Sequence, residues 1–132
     1  MKKVLTLLLA AFVFFIFSGP VMALDKVIEF EWQHQDPVAQ GVASFKLYMS
    51  VVSGSEYVLL LDIPFESVEE VYTADGTITV ADNVEVNRYF VCTAVDGQGN
   101  ESGYSNEATV TIDNLPPETP MTFKAVVKVV TD

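Results

Sequence analysis

The sequence predicts an all-β protein folded as a single antiparallel β-sandwich. Two observations support this prediction. Apolar and polar residues alternate in several stretches, which is the period of a strand with one buried face. Gly, Pro, Asn, Asp and Ser residues separate these stretches about every eight to twelve residues, as the turns of a small sandwich domain do.

Three strands are predicted in the first half of the chain. Large apolar residues alternate with glutamates over residues 28–32, and a second alternation covers residues 45–49. Residues 53–55 form a Ser-Gly-Ser turn, and the nearly continuous apolar run 57–63 ends at Pro64. The run is short for a helix, so we expect a third strand.

The region 65–87 is expected to contain a β-hairpin. Asp75-Gly76 lies between two short runs rich in β-branched residues, and this dipeptide is typical of two-residue hairpin turns. Asp82-Asn83 predicts a further turn before the chain enters the next strand.

The last two strands form the clearest predicted pair, residues 88–95 and 106–112. Alternating small and apolar residues in both stretches can face one core, because strand side chains point to opposite faces in turn. The residues expected to face that core are Phe90, Cys92 and Ala94 in the first strand, and Ala108, Val110 and Ile112 in the second.

Residues 1–23 have the pattern of a secretory signal peptide. Lys2 and Lys3 precede an apolar run over residues 4–17, and small residues follow as far as Ala23. We expect cleavage after Ala23 and a protein that is secreted or periplasmic, at the cell envelope, with no membrane span left. A retained membrane anchor is the alternative.

Cleavage would leave a strongly acidic single domain. The full chain has a net charge of −11 from seven basic and 18 acidic residues, and two of the basic residues lie in the signal peptide. Five basic residues then remain against 18 acidic ones, a net charge of −13. Such a charge argues against a nucleic-acid partner and is typical of a soluble exported protein. A more specific interpretation of this charge is that the protein binds cations or a basic partner.

Residues 26–112 resemble a fibronectin type III domain, in particular its bacterial exported form. Trp32 falls where the family has its second-strand tryptophan, and SFKLYMS (44–50) looks like the third strand. YFVCTAVDGQGNESGYSNEATVTI (89–112) is similar to the last two strands and their loop. The resemblance implies an immunoglobulin-like sandwich and a non-enzymatic module that binds a protein or a cell-surface polymer.

Two departures from the family pattern are visible. Arg88 occupies the position of the usual corner tyrosine, with Tyr89 one place later, so the usual corner hydrogen bond is not expected. The family's first strand should precede the strand that carries Trp32, but only residues 24–26 lie between that strand and the predicted cleavage site.

The segment LPPETPMTFKAVVKVV (115–130) resembles a proline-led linker followed by a first strand. We therefore divide the chain into a sandwich at 24–112, a linker at 113–120 and a C-terminal strand at 121–132. The apolar face of that strand favours docking in the vacant first-strand position. Docking in its own chain is the expected form, and strand exchange with a neighbour, giving a structural subunit and a homo-oligomer, is the alternative.

Asp96, Asn100 and Glu101 are candidate calcium ligands, because they bring oxygen atoms into one glycine-rich loop. The same residue types are what a tight connection between two strands requires, and their spacing does not match the helix-loop-helix calcium motif. A connector is therefore the expected role. No other cofactor is expected.

Catalysis is not expected from this composition. His34 is the only histidine and lies in a predicted solvated loop, whereas Cys92, the only cysteine, is expected to be a small buried side chain. A reactive or intermolecular thiol is the alternative for Cys92. A carbohydrate-binding module would need exposed aromatic rings on one face. The candidates for such a face are Tyr48, Tyr57, Tyr72, Tyr89 and Tyr104.

Overall fold

Two antiparallel β-sheets make up the ordered core of the protein. A computed structural model describes residues 22–128, so the predicted signal sequence falls almost entirely outside the described residues. The strands are β1 (Ala23–Trp32), β2 (Val42–Ser50), β3 (Val58–Pro64), β4 (Tyr72–Ala81), β5 (Glu85–Asp96) and β6 (Ala108–Asp113). One sheet has the order β1-β4 and the other β3-β2-β5-β6. The all-β, sandwich-like class predicted from the sequence is confirmed.

The strands predicted from alternation are present. The predicted pair 88–95 and 106–112 corresponds to β5 and β6, which are antiparallel with Phe90 opposite Ala108. β1 begins earlier than the alternation indicated, because its first residues pair with the end of β4, Ala23 opposite Ala81. In residues 22–128, no helix has the length and apolar character needed to cross a membrane.

The hairpin predicted at Asp75-Gly76 is wrong. Both residues lie in the middle of the continuous strand β4, with Gly76 opposite Ile28 of β1. A Cβ atom at Gly76 would lie 2.9 Å from Cε2 of Phe30 and 3.2 Å from Cδ2 of Leu60. Gly76 therefore allows a close approach of side chains from β1 and β3 rather than a turn.

The core consists of two apolar clusters between the sheets. The first is formed by Ile78, Val80, Phe90 and Ile112, with Ile28, Phe30, Met49, Leu60, Val84, Val86 and Val110 packed around it. The second is formed by Val42, Phe45 and Tyr72, with Trp32, Phe65, Cys92 and Ala94 around it. Residues of both sheets contribute to each cluster, so the sheets pack face to face.

The predicted docking of residues 121–132 as a strand is not found in the described part of that segment. Residues 114–128 form no strand, and residues 129–132 lie outside the described residues. The side chains of Met121 and Phe123 are 85% and 89% exposed. Consequently, no strand within residues 22–128 pairs with the edge of β1 that faces away from β4.

The tail leaves the sheets at the end where β1 begins. The amide of Asn83 donates to the carbonyl of Asn114 over 3.0 Å, and Nδ2 of Asn114 donates to the carbonyl of Ala81 over 3.0 Å. At the same end, the amide of Asp82 donates to the carbonyl of Met22 over 2.9 Å. These bonds hold the start of the tail at the end of the sheet where β1 begins.

Candidate functional site

The glycine-rich loop after β5 is organised by Asp96. Its Oδ1 accepts hydrogen bonds from the amides of Gln98 (2.9 Å) and Asn100 (2.8 Å), and its Oδ2 accepts one from Nδ2 of Asn100 (2.9 Å). These hydrogen bonds lower the pKa of Asp96, and the bond from the Asn100 side chain has the largest effect. Gly99 has a φ of 86°, which glycine adopts without steric cost. The loop has the hydrogen bonding of a tight connection.

The three candidate calcium ligands do not converge. Asp96 and Asn100 bond to each other, whereas Glu101 turns toward the outer face of the four-stranded sheet. There its Oε1 accepts from the hydroxyl of Thr93 over 2.6 Å and from the hydroxyl of Tyr48. Among residues 22–128 there is no group of three or more His, Cys, Asp or Glu side chains arranged to hold a metal ion.

Before β6 begins, two serines of the preceding segment form hydrogen bonds along the edge of β5. The amide of Ser102 donates to the carbonyl of Ala94 (2.8 Å), and the Ser102 hydroxyl accepts from the Ala94 amide (2.9 Å). Ser105 makes the same two bonds with Cys92, each at 2.9 Å. The sequence reasoning missed this arrangement, whose only signal was the Ser-x-x-Ser spacing beside a strand.

Glu107 connects the start of β6 to the turn between β2 and β3. Its carboxylate accepts from the hydroxyl of Ser53 (2.6 Å), the amide of Gly54 (2.7 Å) and the hydroxyl of Tyr57. These hydrogen bonds lower the pKa of Glu107, and the bond from Ser53 has the largest effect. In turn, the hydrogen bond to Glu107 raises the pKa of Tyr57. Both carboxylates, Glu101 and Glu107, therefore act as structural hydrogen-bond acceptors.

Three of the five candidate tyrosines come together on the outer face. The Tyr104 ring lies edge-on to Tyr48, with centroids 5.6 Å apart and planes at 71°, and edge-on to Tyr57, at 5.0 Å and 61°. Tyr72 instead lies in the core, stacked on Trp32. The rings are not coplanar, so they do not form the flat surface on which a sugar ring stacks.

The pair of Tyr48 and Glu101 gives a pH-dependent prediction. The hydrogen bond to Glu101 raises the pKa of Tyr48 from 10.0 to about 12, and the Thr93 and Tyr48 hydroxyls lower the pKa of Glu101 below its usual 4.5. The stabilisation is therefore complete between about pH 4.5 and 10. It is lost as the pH rises through about 12, and also as it falls through the lowered pKa of Glu101.

We expect Tyr48→Phe to lower the free energy of unfolding by less than about 1 kcal/mol at neutral pH, because solvent reaches Glu101. The difference from wild type should shrink at both ends of the pH range in a series of thermal melts. Tyr89→Phe is the control, since the Tyr89 hydroxyl makes no hydrogen bond within residues 22–128. A difference that does not change with pH would contradict this role for the pair.

His34 is not the solvated loop residue that the sequence predicted. It is half-buried, with its ring centroid 5.7 Å from that of Phe45. Its Nδ1 is buried without a hydrogen-bond partner in the described part of the chain, as is Nε1 of Trp32. The ring therefore extends the aromatic cluster around Phe45.

A groove of about 490 Å³ with a mainly apolar lining runs beside the edge of β1 that no strand within residues 22–128 pairs with. Phe30 and Trp32 line it from β1, Phe90 and Cys92 from β5, and Ala108 from β6. Phe30, Trp32 and Cys92 are only half-buried and Ala108 is exposed. The first three pack against the core clusters, and Ala108 lies on the same face of β6 as Val110, which packs against the first cluster. The groove is where a further strand beside β1 would place its side chains.

Cys92 is thus only half-buried: it packs against the second core cluster and also lines the groove. Burial nevertheless raises the pKa of its thiol to about 11, so the thiol is protonated at neutral pH. In this state it is a weak nucleophile and contributes apolar surface to the groove.

Comparisons of the chain with protein-family models, with curated proteins and with solved structures found no match. What its own residues define is an all-β, sandwich-like protein of two antiparallel sheets, in which no strand within residues 22–128 pairs with the edge of β1 beside the groove.

Proposed function

We propose that this chain is an exported, non-enzymatic module of the fibronectin type III type that binds protein at or beyond the cell envelope. The partner adds an extended segment to the open edge of β1. The observation that carries the proposal is that the edge of β1 beside the groove has no partner strand in the part of the chain that the structure describes.

Backbone and side chains have separate roles in this binding mode. An edge strand offers a row of free N–H and C=O groups, which supply affinity for any extended chain. Alternate side chains of the added segment enter the groove against Phe30, Trp32 and Ala108, which supplies specificity for apolar residues at every second position.

The chemistry of the groove supports binding rather than catalysis. Eight of its twelve lining residues are apolar, the other four are Glu31, Gln33, Ser105 and Asn106, and its thiol, Cys92, has a raised pKa. Among the alternatives, carbohydrate binding by the tyrosine cluster is disfavoured by the edge-on rings of Tyr48, Tyr57 and Tyr104.

The test uses Ala108→Arg to fill the groove with a long charged side chain. Thr109→Arg is the matched control, because Thr109 is also exposed on the same strand but does not line the groove. Circular dichroism establishes that both variants fold.

The immobilised wild type and the Thr109→Arg variant should capture the same proteins from a native envelope fraction, and Ala108→Arg should lose them. Capture that Ala108→Arg leaves unchanged would place binding elsewhere and overturn the proposal.

A further inference from the structure

We propose that the segment that adds to the edge of β1 is the tail, residues 123–128, of a second copy of this chain. The inference rests on the proposed function, because it names the partner of the same edge. It makes the protein a self-assembling subunit whose copies join head to tail.

The tail has the pattern of a strand without a partner. Phe123, Ala125 and Val127 occupy one face of an extended segment, and Lys124 and Lys128 occupy the other. Phe123 and Val127 are each 89% exposed in the single chain. An apolar strand face left in water is unfavourable, so this segment gains free energy wherever it docks.

The charges of the tail match those of β1. Asp25 and Glu29 are exposed on the face of β1 that points away from the groove, and they are four residues apart. Lys124 and Lys128 have the same spacing. In an antiparallel pairing with Lys124 opposite Glu29, Lys128 lies opposite Asp25, and both pairs are of opposite charge, which stabilises neighbouring strands.

The same register places apolar residues against each other. Phe123 lies opposite Phe30 and enters the groove, and Ala125 lies opposite Ile28. On the outer face Val126, 86% exposed, lies opposite Val27, 68% exposed. One register therefore forms both charge pairs and three apolar pairs, and it leaves Val127 opposite Lys26.

The position of the tail favours a neighbouring chain as the donor. Asn114 is fixed at the end of the sheet where β1 begins, so a direct approach to the chain's own β1 would be parallel, the weaker pairing. An antiparallel approach would require the proline-rich linker to run about 23 Å along β1 and then reverse before Phe123. A second copy approaches in the antiparallel direction without this constraint.

The first experiment measures association of the purified, signal-free chain by sedimentation over a range of concentrations. Wild type should form concentration-dependent multimers. Phe123→Ser should weaken association by roughly tenfold to a hundredfold, the effect of removing one buried Phe side chain. Val58→Ser is the control, because Val58 is 68% exposed on β3, at the far edge of the other sheet, and it should change association by less than about threefold.

Mixing two defective variants tests the head-to-tail arrangement. Ala108→Arg retains a working tail, and Phe123→Ser retains a working groove. Each alone should be largely monomeric, whereas their mixture should form dimers and nothing larger. Wild type that is monomeric at every concentration, or a mixture that does not associate, would overturn the inference.

Exchanging one charge pair tests the register. Lys124→Glu and Glu29→Lys should each weaken association, and the double variant should restore it. If the double variant does not restore association, the pairing of these two residues is contradicted.

One further outcome separates this inference from the proposed function. If the wild type is monomeric but still captures other proteins, and Ala108→Arg abolishes that capture, self-assembly is overturned and the proposed function stands.

Discussion

Replacing Phe45 with alanine should lower the free energy of unfolding by about 3 to 5 kcal/mol. Phe45 lies in β2, and its side chain is 2% exposed. Its ring centroid is 4.9 Å from that of Tyr72 and 5.4 Å from that of Trp32, with Phe65 at 6.4 Å. It therefore joins β1, β4 and the segment after β3 in one cluster, which truncation would leave with a cavity.

Trp32, the only tryptophan of the chain, reports directly on this cluster. Urea unfolding followed by its fluorescence should give a lower midpoint for Phe45→Ala with an unchanged slope. Val58→Ala is the control, because Val58 is 68% exposed on β3 and its truncation should change stability by less than about 0.5 kcal/mol. A loss below about 1 kcal/mol for Phe45→Ala would mean that the cluster is not a packed core.

The strands of this fold could be predicted where burial follows local alternation. In β5 and β6, one face of each strand contributes to the core, and a period of two residues is visible in the sequence without knowledge of the partner. The tight turn at Asp96 could be predicted for a similar reason, since its hydrogen bonds extend only to Asn100.

Features decided by distant residues could not be predicted. Asp75-Gly76 favours a hairpin locally, but pairing along the whole of β1, some 50 residues earlier, keeps β4 continuous. The role of Glu107 depends on Ser53, which is equally remote in sequence. The tail shows the same limit, since its alternation predicts a strand but carries no information about whether its own chain or a neighbour supplies the partner.

Gly76→Val should destabilise the protein by about 2 to 3 kcal/mol, the second of the two largest expected effects. A Cβ atom at this position lies 2.9 Å from Phe30, 3.2 Å from Leu60 and 3.4 Å from Cδ1 of Leu61, and the valine methyl groups add further volume. The surroundings are the packed face between the sheets, where extra carbon atoms force neighbouring side chains from their preferred rotamers. Gly103→Val is the control, because nothing lies within 4 Å of a Cβ at Gly103.

A double-mutant cycle identifies the cause of this loss. If close packing against Phe30 is responsible, Gly76→Ala should cost less stability in a Phe30→Leu background than in the wild type, because the smaller side chain leaves room for the methyl group. A glycine required by a turn would show no such coupling, since its cost arises from its own backbone angles. Additive losses measured by urea unfolding would therefore contradict the packing explanation, and a clear coupling energy would assign Gly76 to the contact between the sheets.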